Sequence, residues 1–234
     1  VVAAESGDVD FAYECRNWLG KAEETFKPSF PTTAREFREH NALKIVVLGS
    51  STTEGAGPDS NDGSYPAALA QELQDALPTY KVVVVNKGIG GQTAYDMLQR
   101  LDEDVLEERP TLLIWDTVVM DMLVNTGRDR LARVLRKGIE QAKAAGIDVA
   151  LMDLPWFPRQ ERYPHYQQYR SMLLSLAQRM NVPIIPRYEL MKAMALSGDF
   201  ALPEFAGPDM LRLTEKHNQC LAVLISNGLL KNNH

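Results

Sequence analysis

Two serines, two threonines and a glutamate stand between glycines in Gly49-Ser50-Ser51-Thr52-Thr53-Glu54-Gly55, directly after the apolar run at 44–48. A serine at the end of a buried strand can act as a nucleophile when a base and an oxyanion donor lie beside it. The same hydroxyls can equally satisfy free backbone N–H groups in a helix-capping turn. A phosphate loop of Walker type is excluded, because no Gly-Lys-Ser or Gly-Lys-Thr follows. A second glycine turn, residues 86–93 (NKGIGGQT), ends another apolar run. Its glycines let backbone N–H groups approach a ligand closely, which suits an oxyanion or a phosphate. The spacing Gly88-x-Gly90-x-x-Thr93 matches a dinucleotide fingerprint only loosely.

The elements that must position these turns follow from periodicity. Five short runs rich in Val, Ile and Leu, at 44–49, 81–86, 111–116, 148–153 and 182–186, read as strands buried on both faces. Between them, 64–77, 93–108, 128–146 and 163–180 carry apolar residues at helical spacing. A last helix is predicted near 214–227, opening after Thr214 and ending at Gly228. This alternation predicts an α/β fold: a flavodoxin-like three-layer α/β/α sandwich around a five-stranded parallel sheet, with any ligand at the carboxyl ends of the strands. Residues 44–234 are expected to form that domain. Residues 1–43 are expected to form an N-terminal wrapping segment, with a helix near 11–23 and a wrapping stretch through 27–33.

Composition narrows the function. The chain has 234 residues, 45% of them hydrophobic, and a formal net charge of -6. It lacks a basic run dense enough to track phosphates, so nucleic acid is not an expected partner. No stretch approaches the roughly 20 apolar residues of a membrane span. The start at Val1, without an initiator methionine or a hydrophobic signal core, reads as a chain after leader removal, and a secreted or periplasmic location is expected. Cys15 and Cys220 could pack separately or join as a clasp; an oxidising compartment predicts the clasp. No Cys/His spacing points to a metal, and no cofactor is expected.

The two turns together resemble the SGNH, or GDSL-type, hydrolase family. The first block, Gly-Asp-Ser followed by a Glu-Gly-like pair, falls on residues 49–55 and places the nucleophile on Ser51. The second falls on 86–93 and makes Gly91 the oxyanion glycine. The last block, Asp-x-x-His before a C-terminal helix, falls on Asp209-Met210-Leu211-Arg212. The resemblance covers residues 44–228 and implies ester or acetyl substrates, often on glycans. Two departures matter more than the matches. The third block, Gly-x-Asn-Asp, reads Val118-Val119-Met120-Asp121, and the histidine position reads Arg212.

Methionine offers no N–H to an oxyanion, and the loss of one such donor costs about 10²–10³ in rate. Arginine stays protonated and cannot take a proton from Ser51; loss of a triad base costs on the order of 10⁶ in the best-studied case. His217, five residues past the expected position, is a candidate replacement base, with a solvated or capping histidine as the alternative. His165 and His40 read as surface residues. Arg212 reads either as a solvated partner of Asp209 or as an anion clamp facing Ser51 and Gly91. Trp156, Phe157, Tyr163 and Tyr166, with Arg159 and Arg162, leave the fourth strand at the same edge, where aromatics can stack on sugar rings or simply pack; Trp115 and Met152 are core. Two functions are therefore expected as alternatives. One is a catalytically impaired protein that binds an acyl or anionic carbohydrate-type ligand or a protein partner. The other is an active serine esterase or deacetylase using Ser51 with a non-standard base.

Overall fold

The computed structural model describes residues 11–55, 63–158, 160–198 and 214–232. Five parallel strands lie in the order β2-β1-β3-β4-β5. They are β1 (Ala42–Gly49), β2 (Lys81–Gly88), β3 (Leu112–Asp116), β4 (Asp148–Met152) and β5 (Ile184–Ile185). Because β1 pairs with both β2 and β3, Gly49 stands in register with Gly88 on one side and Asp116 on the other. The two glycine turns therefore leave the sheet side by side, at its carboxyl edge.

Helices cover both faces. One face carries α1 (Phe11–Thr25), α2 (Pro31–His40), α4 (Tyr65–Ala76), α9 (Arg187–Ser197) and α10 (Glu215–Asn232). Its core includes Trp18, Leu19, Phe26, Leu69, Leu73, Leu221 and Leu224 against Ile45, Val47 and Ile114. The other face carries α5 (Ala94–Gln99), α7 (Arg128–Ala144) and α8 (Tyr166–Met180), with Met97, Leu131, Leu135 and Leu173 packed on Val46, Leu48 and Trp115. Two short helices, α3 (Ser51–Glu54) and α6 (Val119–Leu123), sit at the carboxyl ends of β1 and β3.

Several expectations need correction. β1, β3 and β4 are buried on both faces, but β2 is an edge strand and its Val82–Val85 stretch is only half buried. The helix expected over 93–108 is split, with α5 ending at Gln99 and a π-turn over Asp102–Leu106. A second N-terminal helix, α2, not among the expected elements, begins within the expected wrapping stretch; its first residue, Pro31, presets a helical φ and has no N–H to lose. The last helix does not stop at Gly228. It runs on to Asn232, because that glycine serves packing: a Cβ there would lie 2.3 Å from the Phe26 ring.

Cys15 and Cys220 are joined, with S–S 2.07 Å and Cα–Cα 5.2 Å, and both are buried. The clasp ties α1 to α10, and Glu23 reinforces it by accepting from Asn227 and Lys231 at 2.8 Å each. No described helix is long and apolar enough to cross a membrane.

Candidate active site

Ser51 opens α3, the turn that β1 feeds, and is half buried. Ser50 precedes it with extended-side backbone (φ -105, ψ -148) and makes no side-chain cap; its Oγ is buried without a hydrogen-bond partner among the described residues. The cap expected of Ser50 is therefore not made. Thr52 Oγ1 and Thr53 Oγ1 donate instead to Asp116 Oδ2, at 2.9 and 3.1 Å.

Asp116, the last residue of β3, is held from beneath by Arg187. The guanidinium Nη1 lies 3.1 Å from Oδ2 and Nη2 3.1 Å from Oδ1, while Nε donates to the Asp153 carbonyl at 2.9 Å. Both partners are buried, Arg187 completely. Tyr65, also fully buried, faces the same charges; burial first, then Asp116, hold its phenol well above the ordinary range. Asp153 is gripped in turn by Arg170, with contacts at 2.8 to 3.2 Å. A charged brace thus runs under the Ser51 turn.

The second turn is fixed on three sides. Glu54 Oε2 accepts the Gly90 N–H at 2.9 Å, and Asn86 accepts from Gly88 N–H at 2.9 Å while its Nδ2 donates to the Thr53 carbonyl at 2.8 Å. Gly88 is compulsory here, since a Cβ would lie 2.2 Å from the Glu54 nitrogen. Arg100 holds the turn from behind, donating to the Lys87 carbonyl at 2.8 Å and to Gln92 at 2.7 Å. A Cβ on Gly90 would come within 3.9 Å of Ser51 Cβ, which places the two turns against each other. Gly91 has φ +78 and is exposed. Its N–H meets no hydrogen-bond acceptor among the described residues.

Thr93 caps α5 in a reciprocal box with Asp96, so the loose dinucleotide spacing is explained as a helix start. Asp121 Oδ2 accepts the Ala94 N–H at 2.8 Å and ties α6 to that start; burial pushes its carboxyl up. Met120 occupies the first turn of α6, half buried. Val118, which caps α6, has φ +80 and ψ -35. A β-branched residue in that region is strained by about 1–3 kcal/mol.

His217 is neither solvated nor capping. It is fully buried in the first turn of α10, and burial followed by the nearby Arg187 charge pushes its pKa down to about 3, against a smaller upward pull from Asn218. His165 is exposed, and His40 is a surface partner of Glu36 at 2.9 Å. Trp156 and Tyr163 are half buried and pack on the α7/α8 face, whereas Phe157 and Tyr166 are core: their rings meet edge to face at 5.3 Å, and the Tyr166 hydroxyl donates to the Pro155 carbonyl. Trp115 and Met152 are core as well. Asp209, Arg212 and Arg159 lie outside the described residues. No group of three His, Cys, Asp or Glu side chains that could hold a metal occurs among the described residues.

Sequence reasoning missed Asp116 and Arg187, and it noted Glu54 without its role in holding the Gly90 N–H. Of the two missed residues a signal existed only for the first, a lone carboxylate closing the otherwise apolar run at 111–116.

A five-stranded parallel sheet with a serine turn and a glycine turn at adjacent strand ends defines the SGNH-hydrolase fold. A family model described as the Non-GDSL lipase-like family matches residues 21–233, and the chain belongs to that family. Esterase TesA of Pseudomonas aeruginosa is 30% identical over 113 residues, which are 48% of this chain and 55% of TesA. "Uncharacterized lipoprotein YqeF" of Bacillus subtilis is 32% identical over 117 residues, 46% of each chain. The matched segments span about half the length of these relatives. The acetylxylan esterase Axe2 of Geobacillus stearothermophilus superposes with a TM-score of 0.69 over 80% of this chain and 94% of its own, at 20% identity, a likeness of fold.

Proposed function

We propose that this is an exported member of the family whose crevice binds an acylated carbohydrate through Ser51 and the Gly91 amide, and hydrolyses the ester slowly or not at all. One observation carries the reading. The imidazole closest in sequence to the missing base, His217, is sealed in the core and neutral. A general base needs access to the proton it takes and a pKa near the working pH. Met120 and Arg212, where the resemblance leads one to expect the oxyanion asparagine and the histidine, point the same way. The retained turn at Ser51 and the Gly91 N–H, which has no acceptor among the described residues, support retention of ligand binding. The esterase names of TesA and Axe2 support an acyl ligand. The buried disulfide and the lipoprotein relative support export.

The test is hydrolysis of p-nitrophenyl acetate and of acetylated xylo-oligosaccharide by the parent and by Ser51→Ala. Turnover near background and equal in the two is expected, with calorimetric binding of the acetylated oligosaccharide retained. The intact serine turn favours a second reading, an active esterase. Ser51-dependent turnover above about 1 s⁻¹, inside the ordinary enzyme range, would establish it and remove the first.

A further inference from the structure

Five large apolar side chains are exposed among the described residues, and four of them, Ile89, Tyr95, Leu123 and Val124, lie on the segments that follow β2 and β3 at the carboxyl edge of the sheet. Tyr95 is 44% exposed. It stands in the first turn of α5, four residues beyond Gly91, so at most about 14 Å of extended chain separates their Cα atoms. The Ala94–Asp121 hydrogen bond fixes that turn against α6, which makes the ring part of a built edge. The Arg130 guanidinium lies over the ring, 5.5 Å from its centroid.

Charge singles out Arg130. In a chain of net charge -6, the first turns of α7 expose Arg128, Arg130 and Arg133 with Asp129 as the one intervening carboxylate. None of the three arginines has a carboxylate within 4 Å among the described residues. An exposed phenol ring offers a flat, electron-rich face to the C–H face of a pyranose. A guanidinium beside it offers two parallel donors to a carboxylate.

We propose that Tyr95 and Arg130 form a subsite for a uronic acid residue: the sugar stacks on the phenol ring while its carboxylate meets the guanidinium, one or two residues along the chain from the sugar held at Ser51 and Gly91. This rests on the carbohydrate reading above and narrows it to an acidic glycan.

The test uses the whole oxidised chain and three probes in calorimetry: unacetylated trigalacturonate, xylotriose, and acetylated xylo-oligosaccharide. Trigalacturonate should bind the parent more tightly than xylotriose does, and increasingly weakly as salt is raised. Tyr95→Ala and Arg130→Gln should each weaken it at least tenfold, with Tyr95→Phe close to the parent, since the ring and not the hydroxyl does the stacking. Both side chains are exposed, so thermal melts of the variants should stay near the parent and exclude misfolding. Absence of trigalacturonate binding, or equal affinity in Tyr95→Ala and the parent, would overturn the proposal. Acetylated xylo-oligosaccharide reports on the crevice separately: its binding can survive when trigalacturonate fails, and the reverse result would remove the acyl reading while leaving the acidic subsite.

Discussion

Arg187→Met is the most informative single change, because it breaks the brace beneath the serine turn without touching the surface. Arg187 is wholly buried and makes contacts at 2.9 to 3.1 Å with the Asp116 carboxylate and the Asp153 carbonyl. Methionine fills much of the same volume, so the main loss is charge compensation. Asp116, 2% exposed, would retain two threonine hydroxyls and no cation. Removing one partner of a buried pair typically costs about 3–5 kcal/mol. For a chain of this length that lowers the melting temperature by roughly 6–20 °C. Guanidinium unfolding at pH 7 would read the loss. The double variant Asp116→Asn/Arg187→Met keeps an acceptor for Thr52 and Thr53 but removes the orphaned charge, so it should regain at least half of the deficit. A single-variant loss under about 1 kcal/mol, or a double variant no more stable than the single, would refute the reasoning that an uncompensated charge dominates.

His217 predicts an acid-sensitive fold. Its folded pKa, about 3, lies below the ordinary histidine value of about 6.5, so below 6.5 the unfolded chain binds more protons. Its contribution is complete above about pH 6.5 and is lost as pH falls towards 3, by up to about 5 kcal/mol; His217→Leu should flatten that part of the stability profile measured by urea unfolding. Val118→Gly should be nearly neutral, within about 1 kcal/mol of the parent, because relief of backbone strain offsets the lost side-chain burial; a loss above about 3 kcal/mol would mean that φ +80 costs little here. Met120→Asn with Arg212→His should create Ser51-dependent hydrolysis of p-nitrophenyl acetate where neither single change does, since triad members act as a unit. A double variant as inert as the parent would show that more than two substitutions separate this crevice from a working one.

How far the sequence led can be judged residue by residue. All five strands announced themselves, because strands buried in a parallel sheet are continuous apolar runs whatever their neighbours. The edge position of β2 was invisible, since Val82 to Val85 are as apolar as the central strands and only the strand order exposes them. α9 was missed because it starts straight after the two-residue β5 and places a charged residue, Arg187, in the core. Its burial depends on Asp116, which lies 71 residues away in the chain, and no local pattern encodes such a pairing. The same holds for His217: an imidazole in the first turn of a helix looks solvated until α10 is seen packed along α4 and α1. The serine and glycine turns were legible because their glycines and hydroxyls are local signals. The brace that supports them is a tertiary one.

The bond between Cys15 and Cys220 spans 205 residues and joins the first described helix to the last. It therefore imposes an order on biogenesis. During synthesis or translocation from the N-terminus, α1 appears early, with Trp18, Leu19 and Phe26 ready for burial, but much of the surface that covers them belongs to α10, which arrives last. Until then the chain holds an apolar helix face and a reduced thiol open to solvent and to mispairing. A chain cut short before residue 220 cannot form the bond. Once the bond forms the chain is covalently a loop, and neither terminal helix can peel away alone.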